Sequence, residues 1–222
     1  MYLSSEGVTR DGRGSREDRP MPGDTDERNT DIDYEGQVRE AFPEIESIAD
    51  ADLREKTVEV WTLALDRGGW RDVQDVPHTW NIPEPNTVAH LRGVFRAAIA
   101  CADVQEEFYG IDVDRDVVRV LALTHDVGKC LEYTVHVDDD LLVDPDPRYA
   151  GDDVPHQLSG YALASEVGLP PEVTRGIPHG RYEIPGQSIE AKLIESANSV
   201  STNAMTMQSM GLTIEEWTEK YH

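Results

Sequence analysis

Lysine is scarce in this sequence, with only four residues at positions 56, 129, 192 and 220, so most of the positive charge is arginine. Acidic residues number 44 against 20 basic ones, which gives a formal net charge of -24. A surface this acidic repels nucleic-acid phosphates and anionic bilayers at ordinary salt. Long nucleic acids and membranes are therefore not expected partners.

Cysteine is also scarce, and long apolar runs are absent. Cys101 and Cys130 are too few for a disulfide framework and lack the paired spacing of a zinc ribbon. No stretch approaches the ~20 apolar residues of a transmembrane helix, and the start lacks the apolar core of a signal peptide. We therefore expect a cytoplasmic protein. Abundant acid with little lysine is typical of a salt-loving microbe such as a halophilic archaeon, with ordinary acidic solubility as the alternative.

The composition changes near residue 34. The segment 1–34 is rich in Gly, Ser, Arg and acidic residues with few aliphatic side chains, and is predicted to be a disordered acidic tail. The remainder, 35–222, is long enough for a single domain with a full core. Its motifs lie within about 86–203.

Helical periodicity dominates this remainder and predicts an all-α bundle. One predicted helix is capped by Asp52 and ends at Gly68, and a central buried helix is capped by Asp114. The other predicted helices span about 35–49, 87–103, 156–167 and 188–204, with short ones after Pro170 and over 213–220. Residues 132–144 predict a small β-hairpin, and the proline-rich segment 70–85 predicts a loop whose His78 lies on the surface or rim.

A short polar motif follows the most apolar run of the chain. It reads Thr124-His125-Asp126-Val127-Gly128-Lys129 and supplies an imidazole, a carboxylate, a turn and a cation. A His-Asp pair alone is a weak signal. However, His90, His156 and His179 also lie near predicted helix ends, and converging helix ends are how bundles build metal sites from imidazole and carboxylate. The alternative is that each histidine caps a helix or hydrogen-bonds in a core.

The order of these residues resembles the HD-domain metal-dependent phosphohydrolases. The resemblance runs from about residue 90 to residue 200. It is carried by Val-Ala-His90-Leu-Arg, Leu-Thr-His125-Asp126-Val-Gly-Lys129, Pro-His156-Gln-Leu and Ile-Pro-His179-Gly. It implies an all-α HD fold and hydrolysis, through a metal-activated water, of a small phosphate ester: a nucleotide, a cyclic phosphodiester or a phosphorylated metabolite.

The resemblance also implies roles for individual residues. One or two divalent ions among Mn, Fe, Ni, Co and Zn would be bound, with Asp126 as the bridging ligand. Lys129 would contact a phosphate oxygen and act with Asp126 in catalysis, with a solvated lysine at a helix end as the alternative, and Arg92 would line the mouth of the site. The implied ligands are His90, His125, Asp126 and Asn198 for the first ion, and His156 and His179 for the second.

One position departs from the family pattern. The last ligand of the family is usually an Asp in an Ala-Asp pair, whereas this chain has Ala197-Asn198. An amide oxygen can coordinate a metal but carries no charge, and Glu195 is an alternative ligand. Two other functions stay open: a di-iron oxygenase, which the resemblance implies because some relatives build one on the same ligands, and a non-catalytic ligand-binding module, which the uncharged Asn198 suggests.

Overall fold

A computed structural model describes residues 32–79, 82–138, 140–145, 155–178 and 186–211, together with 213 and 216. Helices dominate these ranges, which confirms the all-α fold class. The helices are α1 (Tyr34–Ala41), α2 (Ala51–Gly68), α3 (Thr87–Tyr109), α4 (Arg115–Thr124), α5 (Lys129–Glu132), α6 (His156–Glu166), α7 (Pro171–Thr174) and α8 (Ile189–Met210). Short strands form two antiparallel pairs, β1 (Pro77–Thr79) with β2 (Ile82–Asn86), and β3 (Tyr133–Asp138) with β4 (Asp140–Pro145).

Helix α4 lies at the centre of the bundle. It packs against α2, α3 and α8, and its residues from Val120 to Thr124 are all buried. Asp114 caps its start by accepting hydrogen bonds from the backbone N–H groups of Asp116 and Val117, as the sequence predicts. Because the helix is surrounded by others, the motif at its carboxyl end is delivered to the interior.

Helix α3 packs along α4 and α8 and carries His90 in its first turn. Asn86 caps it by accepting a hydrogen bond from the backbone of Ala89 at 2.9 Å. The helix continues to Tyr109, six residues beyond the predicted end, because Gln and Glu in this stretch are good helix formers. It stops at Gly110, whose φ of 64° is the left-handed conformation of a helix C-cap.

The helix predicted over 35–49 is wrong in its second half. Helix α1 ends at Ala41, and a 3₁₀ helix follows over Pro43–Ser47. Proline has no N–H to donate and its ring clashes with the preceding turn, so an α-helix does not run through Pro43. The cap of α2 is likewise Asp50 rather than Asp52.

The segment predicted as a loop over 70–85 contains a 3₁₀ turn and the β1–β2 ribbon. Prolines are tolerated there because a two-stranded ribbon has few ladder hydrogen bonds to lose. Thr87 ties the ribbon to α3, since its hydroxyl donates to the Pro77 carbonyl at 2.7 Å and its N–H to the Val76 carbonyl at 3.0 Å. The ribbon is therefore fixed against the helix that carries His90.

The hairpin predicted over 132–144 is confirmed by the pairing of β3 with β4, in which Tyr133 lies opposite Pro145 and Val137 opposite Leu141. The acidic tail lies almost wholly outside the described residues, as does most of the closing helix predicted over 213–220. The division into a tail and a single domain over 35–222 stays a prediction. Among the described helices, none has both the length and the apolar character required to cross a bilayer.

Candidate metal centre

Asp126 is the centre of a buried cluster of nitrogen and oxygen donors. It lies in the turn after α4, and its Oδ2 is 3.5 Å from Nε2 of His90 and 3.7 Å from Nε2 of His125. The same oxygen is 3.8 Å from Nδ1 of His78. Its other oxygen, Oδ1, is 3.4 Å from Nε2 of His156. The carboxylate therefore presents one oxygen to three histidines and the other to a fourth.

The end of α4 orients the His125 ring. Its Nδ1 lies 3.2 Å from the Leu121 carbonyl oxygen and 3.1 Å from that of Ala122. Carbonyl oxygens only accept hydrogen bonds, so Nδ1 carries the hydrogen and Nε2 carries the lone pair. That lone pair is on the side of the ring that approaches Asp126.

Two buried tryptophans bracket the motif. The indole N–H of Trp61 donates to the Leu123 carbonyl at 2.8 Å, and that of Trp70 donates to the Cys130 carbonyl at 2.9 Å. Both side chains are fully buried. Carbonyl groups on either side of the His-Asp turn are thus anchored to α2 and to the residues that follow it.

His90 is also buried, and within the described part of the chain its Nε2 makes no hydrogen bond. Buried polar atoms in native proteins are nearly always paired, so such an atom indicates an interaction with a bound group. Asn198 on α8 interacts with the His90 side chain in a way that opposes the lowering of the pKa of that ring, and it accepts a hydrogen bond from the Thr202 hydroxyl at 3.0 Å. The last helix therefore reaches the site next to His90.

His78 belongs to the cluster, and its prediction as a surface or rim residue is wrong. It is buried, and its ring stacks on that of His90 with centroids 3.8 Å apart and an interplanar angle of 29°. One ligand atom from each of His78, His90 and Asp126 lies within 4.8 Å of the others. The proline-rich sequence around His78 is typical of an exposed loop, and only the packing of the ribbon on α3 reveals the burial.

Lys129 lies inside the site, which excludes the alternative of a solvated helix-end lysine. Its Nζ is 2.8 Å from Oδ2 of Asp126. It is also 3.0 Å from Nδ1 of His78 and 2.7 Å from the His78 carbonyl oxygen. The ammonium group is thus a cation held by one nitrogen and two oxygens of the cluster.

Glu132 is a further member that the sequence analysis did not identify. His156 is the first residue of α6, and its Nδ1 lies 2.5 Å from Oε2 of Glu132, while its Nε2 faces Asp126. The imidazole is therefore held between two carboxylates. A carboxylate that accepts a hydrogen bond from one nitrogen of a histidine orients the other nitrogen toward a metal.

The electrostatic environment keeps two of the histidines neutral. Burial lowers the pKa of His78 to about 3, and the nearby charge of Lys129 adds to this effect. Burial likewise lowers the pKa of His90 to about 3, although the charge of Asp126 opposes the shift. At neutral pH both rings are therefore uncharged, which is the form of imidazole that binds metal ions.

The pKa values of Asp126 and His156 are shifted so that the charged form of each side chain is favoured. Burial disfavours the charged form of Asp126, but Lys129 and the neighbouring histidines outweigh it and hold the pKa of this carboxyl well below its usual value. Burial also disfavours protonated His156, but hydrogen bonds to Asp126 and Glu132 outweigh burial and raise the pKa of this imidazole. The centre of the cluster is therefore an ionised carboxylate.

Other residues proposed for the site are engaged elsewhere or lie outside the described part. The guanidinium of Arg92 pairs with Glu44 at 2.8 Å. Glu195, the alternative ligand on α8, pairs with Lys192 at 2.6 Å. His179 lies outside the described residues. The roles of these residues in binding substrate or metal stay predictions.

A divalent metal fits this donor set. Two ligands about 2.1 Å from one ion at a tetrahedral angle lie about 3.4 Å apart, close to the 3.5, 3.7 and 3.8 Å that separate Oδ2 of Asp126 from three histidine nitrogens. Imidazole and carboxylate suit Zn, Fe, Ni, Co and Mn. The ammonium group of Lys129 contacts Asp126 and His78, which shows that these side chains bind a cation. The cluster can therefore hold a divalent ion.

Comparison with known proteins agrees with this geometry. A model of the HD domain matches residues 87–203. The chain belongs to the HD domain family. It is also similar to the dihydroneopterin 2′,3′-cyclic phosphate phosphodiesterase of Methanocaldococcus jannaschii, with 33% identity over 98 residues. That alignment covers 40% of this chain and 39% of the relative. No solved structure gives a match.

The HD match begins at Thr87 and so includes His90, the His125-Asp126 pair and Asn198. It does not include β1. His78 therefore enters the cluster from a segment that the HD family model leaves out.

Proposed function

We propose that this HD domain is a metal-dependent phosphohydrolase that acts on a small phosphate ester. The observation that carries the proposal is the buried Asp126 carboxylate, which faces histidine nitrogens through both of its oxygens. Such a centre suits the hydrolysis of phosphate esters because one carboxylate can bind a metal ion through each of its two oxygens. The adjacent Lys129 adds a positive charge for a phosphate oxygen.

The substrate class that we propose first is a small cyclic phosphodiester. This choice is supported by the archaeal relative, whose name specifies a 2′,3′-cyclic phosphate. Nucleotides and other phosphorylated metabolites are the wider class. The relative is more than twice as long as the aligned region, so its own substrate is one candidate within this class.

Each residue of the cluster has a proposed task. His90, His125 and Asp126 would hold the first ion, and His156 with His179 would hold the second through the other oxygen of Asp126. When bound, the ions bind phosphate oxygens and lower the pKa of a water molecule. Lys129 orients the phosphate. Glu132 accepts the hydrogen bond from Nδ1 of His156 and so keeps the lone pair of that ring on Nε2.

A screen of phosphate esters tests the function. We expect turnover of cyclic phosphodiesters or phosphomonoesters with added Mn, Fe, Ni, Co or Zn, and loss of that turnover after chelation. The screen is run at both low and high KCl, because the charge of -24 suits a high-salt interior. A requirement for oxygen would indicate the di-iron oxygenase instead. Saturable ligand binding with no turnover under any metal would indicate a binding module.

Replacing Lys129 by methionine is expected to change metal binding and turnover in opposite directions. The ammonium contacts Asp126 and His78. Without it, a metal ion no longer competes with Lys129 for these two side chains and is no longer repelled by its positive charge. We expect metal affinity to rise by about tenfold, about 1.4 kcal/mol. Turnover of the phosphate ester is expected to fall by about 100-fold because a charge-assisted phosphate contact is lost.

Calorimetric metal titration and steady-state kinetics measure the two effects of the Lys129→Met change. Lys192→Met is the matched control, since Lys192 pairs with Glu195 on an exposed face. Equal losses of metal affinity and turnover in Lys129→Met would contradict the role given to this lysine.

A further inference from the structure

The last helix of this HD domain supplies an uncharged side chain where a carboxylate is expected. Asn198 contacts the His90 side chain and the Thr202 hydroxyl. Glu195, one turn earlier, is paired with Lys192. Within the described part of α8, neither residue presents a carboxylate to Asp126. A metal held by His90, His125 and Asp126 alone would therefore lack a ligand.

The β1–β2 ribbon supplies a donor on the same oxygen of Asp126. Nδ1 of His78 lies 3.8 Å from Oδ2, within 0.3 Å of the distances for His90 and His125. Lys129 donates a hydrogen bond to this nitrogen, so the lone pair of His78 points at the ammonium group beside Asp126, and a metal bound there would take this lone pair over from Lys129. The ring nitrogen is thus placed as a ligand rather than as a packing group.

The position of His78 is also fixed. Its ring stacks on His90, and its backbone carbonyl accepts a hydrogen bond from Lys129 at 2.7 Å. The residue before it, Pro77, is tied to α3 through Thr87. Metal ligands need this kind of support, because a loosely held side chain loses affinity through ordering entropy. A histidine whose role was only to pack against His90 would not need its Nδ1 to face Asp126.

We propose that His78 is a metal ligand that replaces the acidic ligand missing from α8, and that Asn198 acts only by positioning His90. This inference rests on the proposed metal centre and deepens it. The resulting site has three imidazoles and one carboxylate, so it carries one negative charge fewer than a site with an Asp at position 198. Nitrogen-rich sites favour Zn, Ni and Co, whereas oxygen-rich sites favour Mn and Mg.

Metal titration of a set of variants tests the proposal. The set contains the unmodified chain, His78→Gln, His78→Phe, Asn198→Ala, Asn198→Asp and the double variant His78→Gln/Asn198→Asp. Phenylalanine keeps a ring against His90 but removes the nitrogen. The readouts are Zn and Co affinity by competition with a chelator, and the visible absorption spectrum of bound Co, which reports the ligands directly. Circular dichroism of the metal-free proteins monitors folding.

Both substitutions of His78 are expected to lower Zn affinity by at least about 100-fold and to change the Co spectrum, whereas Asn198→Ala lowers affinity by less than about tenfold. The double variant His78→Gln/Asn198→Asp is expected to bind Zn at least about tenfold more tightly than His78→Gln alone. In the otherwise unmodified chain, Asn198→Asp is expected to shift the metal preference toward Mn. Unchanged Zn affinity and Co spectrum in a folded His78→Phe protein would overturn the proposal and leave the phosphohydrolase function standing.

Other outcomes are equally decisive. If both His78 variants fail to fold, the Asn198→Asp protein tests the proposal by itself. An unchanged metal preference in that protein would show that His78 does not replace an acidic ligand at position 198. Absence of metal binding by the unmodified chain would instead overturn the metal centre, and with it the proposed function.

Discussion

Replacing Asp126 by asparagine is expected to abolish metal binding and to lower the turnover of phosphate esters by at least about 1,000-fold, about 4 kcal/mol. Asparagine keeps the size of the side chain and removes its charge. The carboxylate is the group on which His78, His90 and His125 converge. Loss of its charge therefore lowers the affinity for any metal ion that these rings bind.

The same change is expected to destabilise the metal-free protein. Lys129 is buried and pairs with Asp126 at 2.8 Å. Removing one partner of a buried ion pair leaves an uncompensated charge, at a cost of about 3–5 kcal/mol. Metal content, kcat/KM and urea unfolding measure the three effects.

The matched control for Asp126→Asn is Asp103→Asn. Asp103 is an exposed aspartate that pairs with Arg115 at the surface, so the same change of charge is expected to leave metal content and turnover within about twofold. Retention of metal and turnover in the Asp126→Asn protein would show that the catalytic centre lies elsewhere in the chain.

Replacing Gly128 by alanine is expected to lower the free energy of unfolding by at least about 3 kcal/mol. A Cβ at this position would lie 1.9 Å from the His156 carbonyl oxygen and 2.6 Å from the Gly160 nitrogen. Both atoms belong to the backbone, so no side-chain rotation relieves the overlap. The φ of -65° is open to alanine, and the predicted cost is therefore steric rather than conformational.

The displacement caused by Gly128→Ala acts on the site as well. The start of α6 has to move away from the motif, and it carries His156, which faces Asp126. We expect loss of the metal that His156 binds, measured as metal stoichiometry alongside urea unfolding. Gly93→Ala in α3 is the matched control because nothing lies within 4 Å of its added Cβ, and alanine there is expected to stabilise the helix by up to about 1 kcal/mol. Equal stability of the two variants would contradict the steric explanation.

The sequence predicted those parts of the molecule whose structure is determined by residues close to one another along the chain. The apolar run of α4, its Asp114 cap and the turn at Gly128 are local, so both the central helix and the exit of the His-Asp pair could be expected from them. The family order of histidines then indicated which helix ends converge. The break at Pro43 is also a local signal, and it overrides the helical periodicity on either side of it.

The missed residues depend on contacts between distant segments. His78 is buried only because Thr87 holds the ribbon against α3, and neither periodicity nor spacing encodes that contact. Glu132 follows Asp126 by six residues, but its partner His156 lies 24 residues further along the chain. The pattern that predicts a helix from residue 156 gives no indication that the start of this helix lies beside Glu132. Local patterns therefore identified the centre of the site and left part of its surroundings unassigned.

The indole hydrogen bonds on either side of the motif give the chain an intrinsic optical reporter. Trp61 and Trp70 are sealed from solvent and bind carbonyl groups at Leu123 and Cys130. Indole emission moves to longer wavelength when water reaches the ring, so opening of the turn between these carbonyls is visible without a label. The chain has four tryptophans, so in a protein that keeps only Trp61 and Trp70, ultraviolet fluorescence can follow loosening of this region in the same cuvette in which a metal or a chelator is added.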